Sequence, residues 1–428
     1  MSMVISAPQT PAYASGTVEP SRSWKAPIAF GVFTVLFALL VLLAPRAGET
    51  TFRLTSAGDA FALPDLVVPV VATVWACIVV AALLAGLSAW FVRARRHVPL
   101  WLTTLFIVVL IFGFLAWAAA GQALPVPGLL SGSLALAVPL IYGALGGVIG
   151  ERVGVVNIAI ESQLLGGAFT AAVVATLTQN PLYGLLAAMI AGALVGSVLA
   201  VFAIVYVVEQ VIVGVVLNVL VIGITSFLYS QVLQPDAARL NTPPRFDRIA
   251  IPFLSDIPII GPVLFRQTIL VYLMYIAIFV VWFAMFKTRW GLRMRAVGEH
   301  PKAADTVGIN VRRTRFLNVV LAGAIAGAGG TVFTVGNGIA FGQEMTAGAG
   351  YIALAAVIFG QWHPLKATLA ALLFGFASTL QNSLTVVGSP VPSEFMLMLP
   401  YLVTIFVVAG VVGKSRAPAA DGVPYIKS

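Results

Sequence analysis

Runs of about twenty apolar residues recur along this chain, and that recurrence constrains its fold more than any other feature. Each run, wound as a helix, is long enough to cross a hydrocarbon layer of roughly 30 Å. Inside such a layer every backbone N–H and C=O must be satisfied within the protein, so only helices or a closed barrel are admitted. A barrel needs segments of about ten residues alternating in polarity, and none are visible. Of the 428 residues 60% are hydrophobic and only 9% charged, whereas soluble domains carry about a quarter charged. The sequence therefore predicts an all-α, polytopic membrane bundle.

The expected spans are about 27–43, 66–92, 99–120, 130–149, 163–178, 182–207, 211–233, 267–286, 316–337, 348–361, 364–383 and 395–413, which gives 10–12 crossings. Residues 1–25, rich in Ser, Thr, Pro and Ala, read as a disordered tail. The first apolar run lacks an A-x-A cleavage site and reads as a retained span. Orientation follows from the basic residues. Lys287, Arg289, Arg293, Arg295, Lys302, Arg312, Arg313 and Arg315 crowd one loop against Glu299 and Asp305 alone, which places it in the cytoplasm. Arg93, Arg95 and Arg96 mark another inner loop, and Lys414 with Arg416 mark an inner C-terminus, so both termini are expected inside. The proline-rich stretch from about Gln234 to Gln267 has balanced charge and is expected to be the main outer loop.

The net charge of +9 is accounted for by these inner loops, so it carries no argument for nucleic acid. One cysteine, Cys77, lies in an apolar run, and His97, His300 and His363 all fall in connections. Neither a disulfide frame nor a metal cluster nor a catalytic His set can be assembled from them. The hexapeptide 410–415, GVVGKS, resembles the end of a phosphate-binding loop, but Val408 stands where the first glycine is required. Pairs of glycines one turn apart, Gly146 with Gly150, Gly192 with Gly196 and Gly323 with Gly327, allow close helix packing.

Three stretches break the membrane pattern. Glu151, Arg152, Asn157, Glu161 and Gln163 lie in GERVGVVNIAIESQLLGGAF, residues 150–169, between two apolar runs. That stretch fits either a re-entrant segment, tolerated at depth only under a cover of protein or water, or an ordinary cytoplasmic turn. Glu209 and Gln210 divide a longer apolar run and fit a tight hairpin. Asn218 sits well inside the next span, where it either bonds a neighbouring helix or lines a passage for a polar solute, and Glu161 and Gln163 share that second reading. In 296–311, AVGEHPKAADTVGINV, Pro301 fits a first helical position and Gly308 the residue past the end. The two turns between them lack the large apolar face of a membrane anchor and suit docking to a cytoplasmic partner.

Taken together, ERVGVVNIAIESQLLGGAF, the segment EQVIVGVVLN from Glu209 to Asn218, and GLRMRAVGEHPKAADTVGI resemble the inner-membrane permeases of ABC importers in the branched-chain amino acid, simple sugar and nucleoside group. The nucleoside and simple-sugar members are the best likeness, over about 130–413. Gln163 stands where those proteins most often have glycine. The resemblance implies a permease domain at 122–413, an N-terminal extension of about three spans at 26–121 and a cytoplasmic tail at 414–428, with internal pseudo-symmetry in the bundle. It implies a multi-pass protein of the bacterial inner membrane that imports a small polar solute, a nucleoside or simple sugar. Its partners would be a cytoplasmic ABC ATPase, a second permease, identical or paralogous, and an extracytoplasmic solute-binding lipoprotein. This chain would hold no cofactor, ATP and Mg being bound by the ATPase. Gly298, Glu299, Pro301, Lys302, Ala303, Ala304, Asp305 and Gly308 would form the ATPase-coupling helix, and Asn157, Glu161, Gln163, Glu209 and Asn218 would belong to the translocation pathway. The rival expectations are an ion-coupled secondary transporter and a membrane-embedded enzyme.

Overall fold

The structure is a computed structural model, which describes residues 23–55, 61–386, Met398 and 416–427. Apart from Met398, the expected span at 395–413 lies outside these residues, as do the phosphate-loop-like 410–415 and nearly all of the expected N-terminal tail. Ten helices among the described residues are long and apolar enough to cross a membrane.

The chain divides into two compact units, one comprising residues 1–45 and 72–115, the other 46–71 and 116–428. The first unit is built on α1 (Lys25–Leu43), most of α2 (Val70–Arg93) and most of α3 (Leu100–Ala118). Phe30 and Phe106 stack at 4.0 Å over a small core of Ala81, Leu84 and Leu102. Large apolar side chains such as Leu36, Leu83 and Trp90 remain exposed, the pattern of helices surrounded by lipid.

The second unit contains two small sheets, β1 (Glu49–Arg53) paired with β2 (Leu66–Pro69) and β3 (Ala123–Pro125), and β4 (Arg248–Ala250) paired with β5 (Arg266–Thr268). Its helices are α4 (Val126–Arg152), α5 (Ile160–Thr178), α6 (Pro181–Ala200), α7 (Gln210–Leu228), α8 (Ala237–Leu240), α9 (Ile269–Lys287), α10 (Arg289–Glu299), α11 (Pro301–Thr306), α12 (Val311–Gly330), α13 (Ala349–Phe359) and α14 (Pro364–Val386). Single π turns extend α6, α7 and α12. The sequence marks several of the starts. Asn180 accepts the Leu182 N–H ahead of Pro181, Glu209 accepts those of Val211 and Ile212, and Asn310 accepts that of Arg313, each satisfying orphan donors of a first turn.

Helix α4 is the axis of this unit, buried along almost its whole second half. Where α6 crosses α12, Gly192 and Gly323 face each other so closely that a methyl on either would collide with the other's carbonyl oxygen. Close backbone approach of this kind supplies dispersion contact where lipid offers no hydrophobic drive.

Two features depart from a simple up-and-down bundle. The expected span at 348–361 does not cross, because α13 has only 11 residues, or about 16 Å of rise. Its apolar composition reflects burial in protein: Ala353 and Val357 pack on Gly143 and Gly147 of α4. The second is the start of α5. Ile160 meets the same two α4 glycines, five to nine residues before α4 ends at Arg152, which is roughly 8–14 Å back along the helix. Residues 153–159 thus turn back into the bundle, the re-entrant of the two arrangements the sequence allowed.

Candidate functional site

The α5 and α13 helices begin at one place and run apart. Along α4, α13 runs in the same direction, Ala353 meeting Gly143 and Val357 meeting Gly147, whereas α5 runs in the opposite one, Leu164 following Ile160 toward Gly143. Neither helix has a side-chain cap from its own flanking residue, which is Ala159 for α5 and Gly348 for α13. Orphan N–H groups buried at depth need partners from elsewhere, and each helix receives them across the junction.

Glu161, in the first turn of α5, supplies α13. Its Oε1 accepts Thr346 Oγ1 at 2.7 Å and Gly348 N at 2.9 Å, and its Oε2 accepts Gly350 N at 2.6 Å. A side chain at Gly350 would strike the Glu161 backbone, so glycine there is what lets the two first turns touch. Two positive helix-dipole ends face one another, and the carboxylate, 4% exposed, lies where it offsets both.

Asn218 of α7 supplies α5. Its Oδ1 accepts Ser162 N at 3.0 Å, while its Nδ2 donates to Ile158 O at 3.0 Å and to Tyr351 Oη at 3.1 Å. Asn157 and Gln163 pair their amides at 3.1 and 3.3 Å, closing the re-entrant turn. Gln210 Oε1 accepts Val156 N at 2.8 Å. Four of the five residues assigned to the pathway, Asn157, Glu161, Gln163 and Asn218, therefore gather around this junction and are buried there. Glu209 stands apart as the exposed cap of α7. Tyr351, 48% exposed, was missed from sequence because 348–361 reads as an unbroken span, and Thr346 because it reads as part of the connection before that span. The alternating glycines of TAGAGY, 346–351, were the available signal.

At the C-terminal end of α4, the buried Glu151 accepts a hydrogen bond from Trp362 Nε1, and Arg152 donates to the Gln361 and Trp362 carbonyls. Here α10 and α11 lie against the bundle. Gly298 sits on the Arg152 carbonyl with no room for a side chain. His300 Nδ1 caps α11 by accepting Ala303 N at 3.2 Å, and Gly308 follows the helix at φ +84°, a left-handed conformation that glycine adopts without strain. Ala304 anchors α11 in the core, leaving Lys302, Ala303, Thr306 and Val307 exposed.

Beside Ala135 and Val138, midway along α4, a cavity of about 430 Å³ opens. Its rim carries Arg245, Asp247, Arg248, Gln267 and Asn337, and Val138, Leu270 and Val332 form part of its floor. Its lining is more polar than apolar, and its volume is that of a small organic solute. No cluster of His, Cys, Asp and Glu with metal-binding geometry occurs among the described residues.

Residues 129–408 match a protein family described as the permease component of the branched-chain amino acid transport system. The chain is 42% identical over 304 residues to the guanosine ABC transporter permease protein NupQ of Bacillus subtilis, covering 69% of this chain and 95% of that one. It is 39% identical to the nucleoside ABC transporter permease protein NupC of Lactococcus lactis, over 68% of this chain and 94% of the relative. To the putative glucose ABC transporter permease protein TsgC13 of Haloferax volcanii it is 34% identical, over 66% and 91%. No solved structure matches.

Proposed function

The chain belongs to the branched-chain amino acid transport permease family, and from that premise we propose that it is the membrane-spanning subunit of an ATP-driven importer for nucleosides, with simple sugars the second solute class. The nucleoside permeases among its relatives, at 42% and 39% identity, support that order over the glucose permease at 34%. The subunit performs no chemistry. A separate cytoplasmic ABC ATPase binds ATP and Mg, a second permease completes the passage, and an extracytoplasmic binding lipoprotein delivers solute to the rim at Arg245 and Arg248. On this reading α10 and α11 lie in the cytoplasm with both termini, and the membrane is the bacterial inner membrane.

The observation that carries the proposal is the buried meeting of α5 and α13. Half-helices that begin together at depth and depart in opposite directions are the arrangement of inverted repeats, which place solute contacts at such breaks. Asn218 and Tyr351 are the side chains assigned to the solute, with Asn157, Glu161 and Gln163 holding the break in shape. Glu209 belongs to the inner hairpin. Residues 298–308 form the coupling element: the exposed face of α11 seats in a groove of the ATPase, and its displacement during ATP turnover biases the bundle between two states. An ion-coupled carrier would need a carboxylate free to exchange its cation, whereas Glu161 is already engaged by three donors.

Uptake of labelled guanosine and of labelled ribose into cells expressing the full set of subunits tests the reading. Expected is guanosine uptake that survives collapse of the ion gradients and stops when ATP is depleted. Uptake abolished by the ionophore at normal ATP would refute it.

A further inference from the structure

We propose that residues 416–427 are a strap that ties α10 and α11 to the re-entrant turn 153–159, with Arg315 as its positioning residue. The proposal rests on reading α11 as the motor-coupling helix. From sequence this segment is only a tail. In the structure it lies folded against the inner end of the bundle and touches each element that the coupling movement would have to cross.

Arg315 of α12, only 2% exposed, grips the strap from within. Its Nη1 donates to Val423 O at 2.9 Å and its Nη2 to Ala420 O at 3.3 Å. The planar guanidinium reaches two carbonyls at once, which a lysine ammonium on a flexible stem does less well. The strap bonds α10 through Ala420 N to Gly298 O at 2.9 Å and Ala419 N to Glu299 Oε2 at 3.3 Å. The Gly298 carbonyl is in the last helical turn, where no intrahelical donor is available. The strap reaches α11 through Lys427, 3.9 Å from Asp305, while the Tyr425 side chain is packed into the main core.

The same strap lies against the re-entrant turn. A Cβ on Gly154 would stand 2.9 Å from Ala420 O, and one on Gly422 would stand 3.4 Å from Val156 Cγ2. That turn leads within a few residues to Ile160 and Glu161, where α5 meets α13. The strap thus joins the coupling helix and the polar junction, held by Arg315 near the start of α12. A displacement of α11 is delivered to residues 153–159 by the strap as well as through the direct seat of Gly298 on Arg152.

The test uses the complete transporter in proteoliposomes, with a chain truncated after Ser415, with Arg315→Lys, and with Ala420→Pro, which deletes the one N–H that binds Gly298 and touches no span. Expected for the truncation is normal recovery of the ATPase with the permease, but a fall of about fivefold or more in guanosine moved per ATP hydrolysed, the lower end of site-to-site couplings. Arg315→Lys retains part of the ratio, and Ala420→Pro lowers it even where the truncated chain fails to assemble. A wild-type ratio in the assembled truncated complex, or in Ala420→Pro, overturns the strap and leaves the importer reading intact. A wild-type complex that imports guanosine with no dependence on ATP overturns both.

Discussion

The carboxylate of Glu161 and the backbone N–H of Gly350 lie 2.6 Å apart although 189 residues separate them. One side chain caps a helix it does not belong to, because two helix starts are buried where water cannot serve them. Glu161→Gln keeps the shape but offers one acceptor oxygen in place of two, and turns an amide N–H₂ toward an N–H donor. Charge-assisted bonds contribute about 1.5–3 kcal/mol each, so a loss of about 2 kcal/mol is expected for Gln. Glu161→Leu, which strands all three donors, is expected to cost on the order of 4 kcal/mol. Thermal unfolding of the purified permease, followed by its loss from the monodisperse peak, should rank wild type above Gln and Gln above Leu. Equal melting of Leu and wild type would remove the capping role.

Asn218 and Tyr351 separate a positional role from a contact with solute. Tyr351→Phe removes a single hydroxyl, which accepts from Asn218 Nδ2, a change expected to cost about 0.5–1.5 kcal/mol of stability. If the hydroxyl also meets the solute, the KM for guanosine rises severalfold at unchanged expression. Asn218→Leu removes partners of Ser162, Ile158 and Tyr351 together and is expected to lower both stability and maximal uptake. Unchanged uptake kinetics in both variants would take these residues out of the passage.

The periodic parts of this fold and some helix ends were legible in sequence, because their causes are local. Glu209 with Gln210, and the pair Pro301 and Gly308, each act within one turn of chain, and the structure puts helix ends beside them. The unusual polarity of 150–169 also pointed to the buried junction. What stayed hidden depends on contacts between distant residues. Nothing near Ala349 shows that the N–H groups of Gly348 and Gly350 on either side of it are answered by Glu161, so an apolar stretch that packs in protein reads as one that crosses lipid. Likewise Arg315 reads as one more inner-loop cation, and only the fold shows it holding Ala420 and Val423.

The coupling helix gives two substitutions with different physical consequences. Ala303 is exposed on α11, so Ala303→Trp leaves the fold undisturbed and obstructs only a partner's groove. Gly308 at φ +84° has open space around it, so Gly308→Val acts through backbone strain of roughly 1–2 kcal/mol that distorts the exit from α11. Both chains should reach the membrane in wild-type amounts and fail to retain the ATPase on affinity purification. Retention of the ATPase by Ala303→Trp would move the docking surface off α11.

Attachment of the 416–427 segment should depend on pH through Asp421. Burial raises its carboxyl from the usual carboxylate range to about 7, with the Arg315 guanidinium opposing the rise. It faces Glu151 from α4 and Arg315 from α12, and its Oδ1 has no hydrogen-bond partner. A folded-state pKa above that of the free carboxyl means that the attached segment holds the proton more tightly than the detached one. Attachment is therefore favoured most in acid, weakens as pH rises from about 4 toward about 7 as the group ionises, and levels off above that range. Hydrogen exchange of residues 416–427 in the purified permease should accelerate across this interval beyond the intrinsic chemical rate. Asp421→Asn, uncharged throughout, should hold slow exchange at pH 8. If Asn exchanges as fast as Asp at pH 8, the ionisation of Asp421 does not govern attachment.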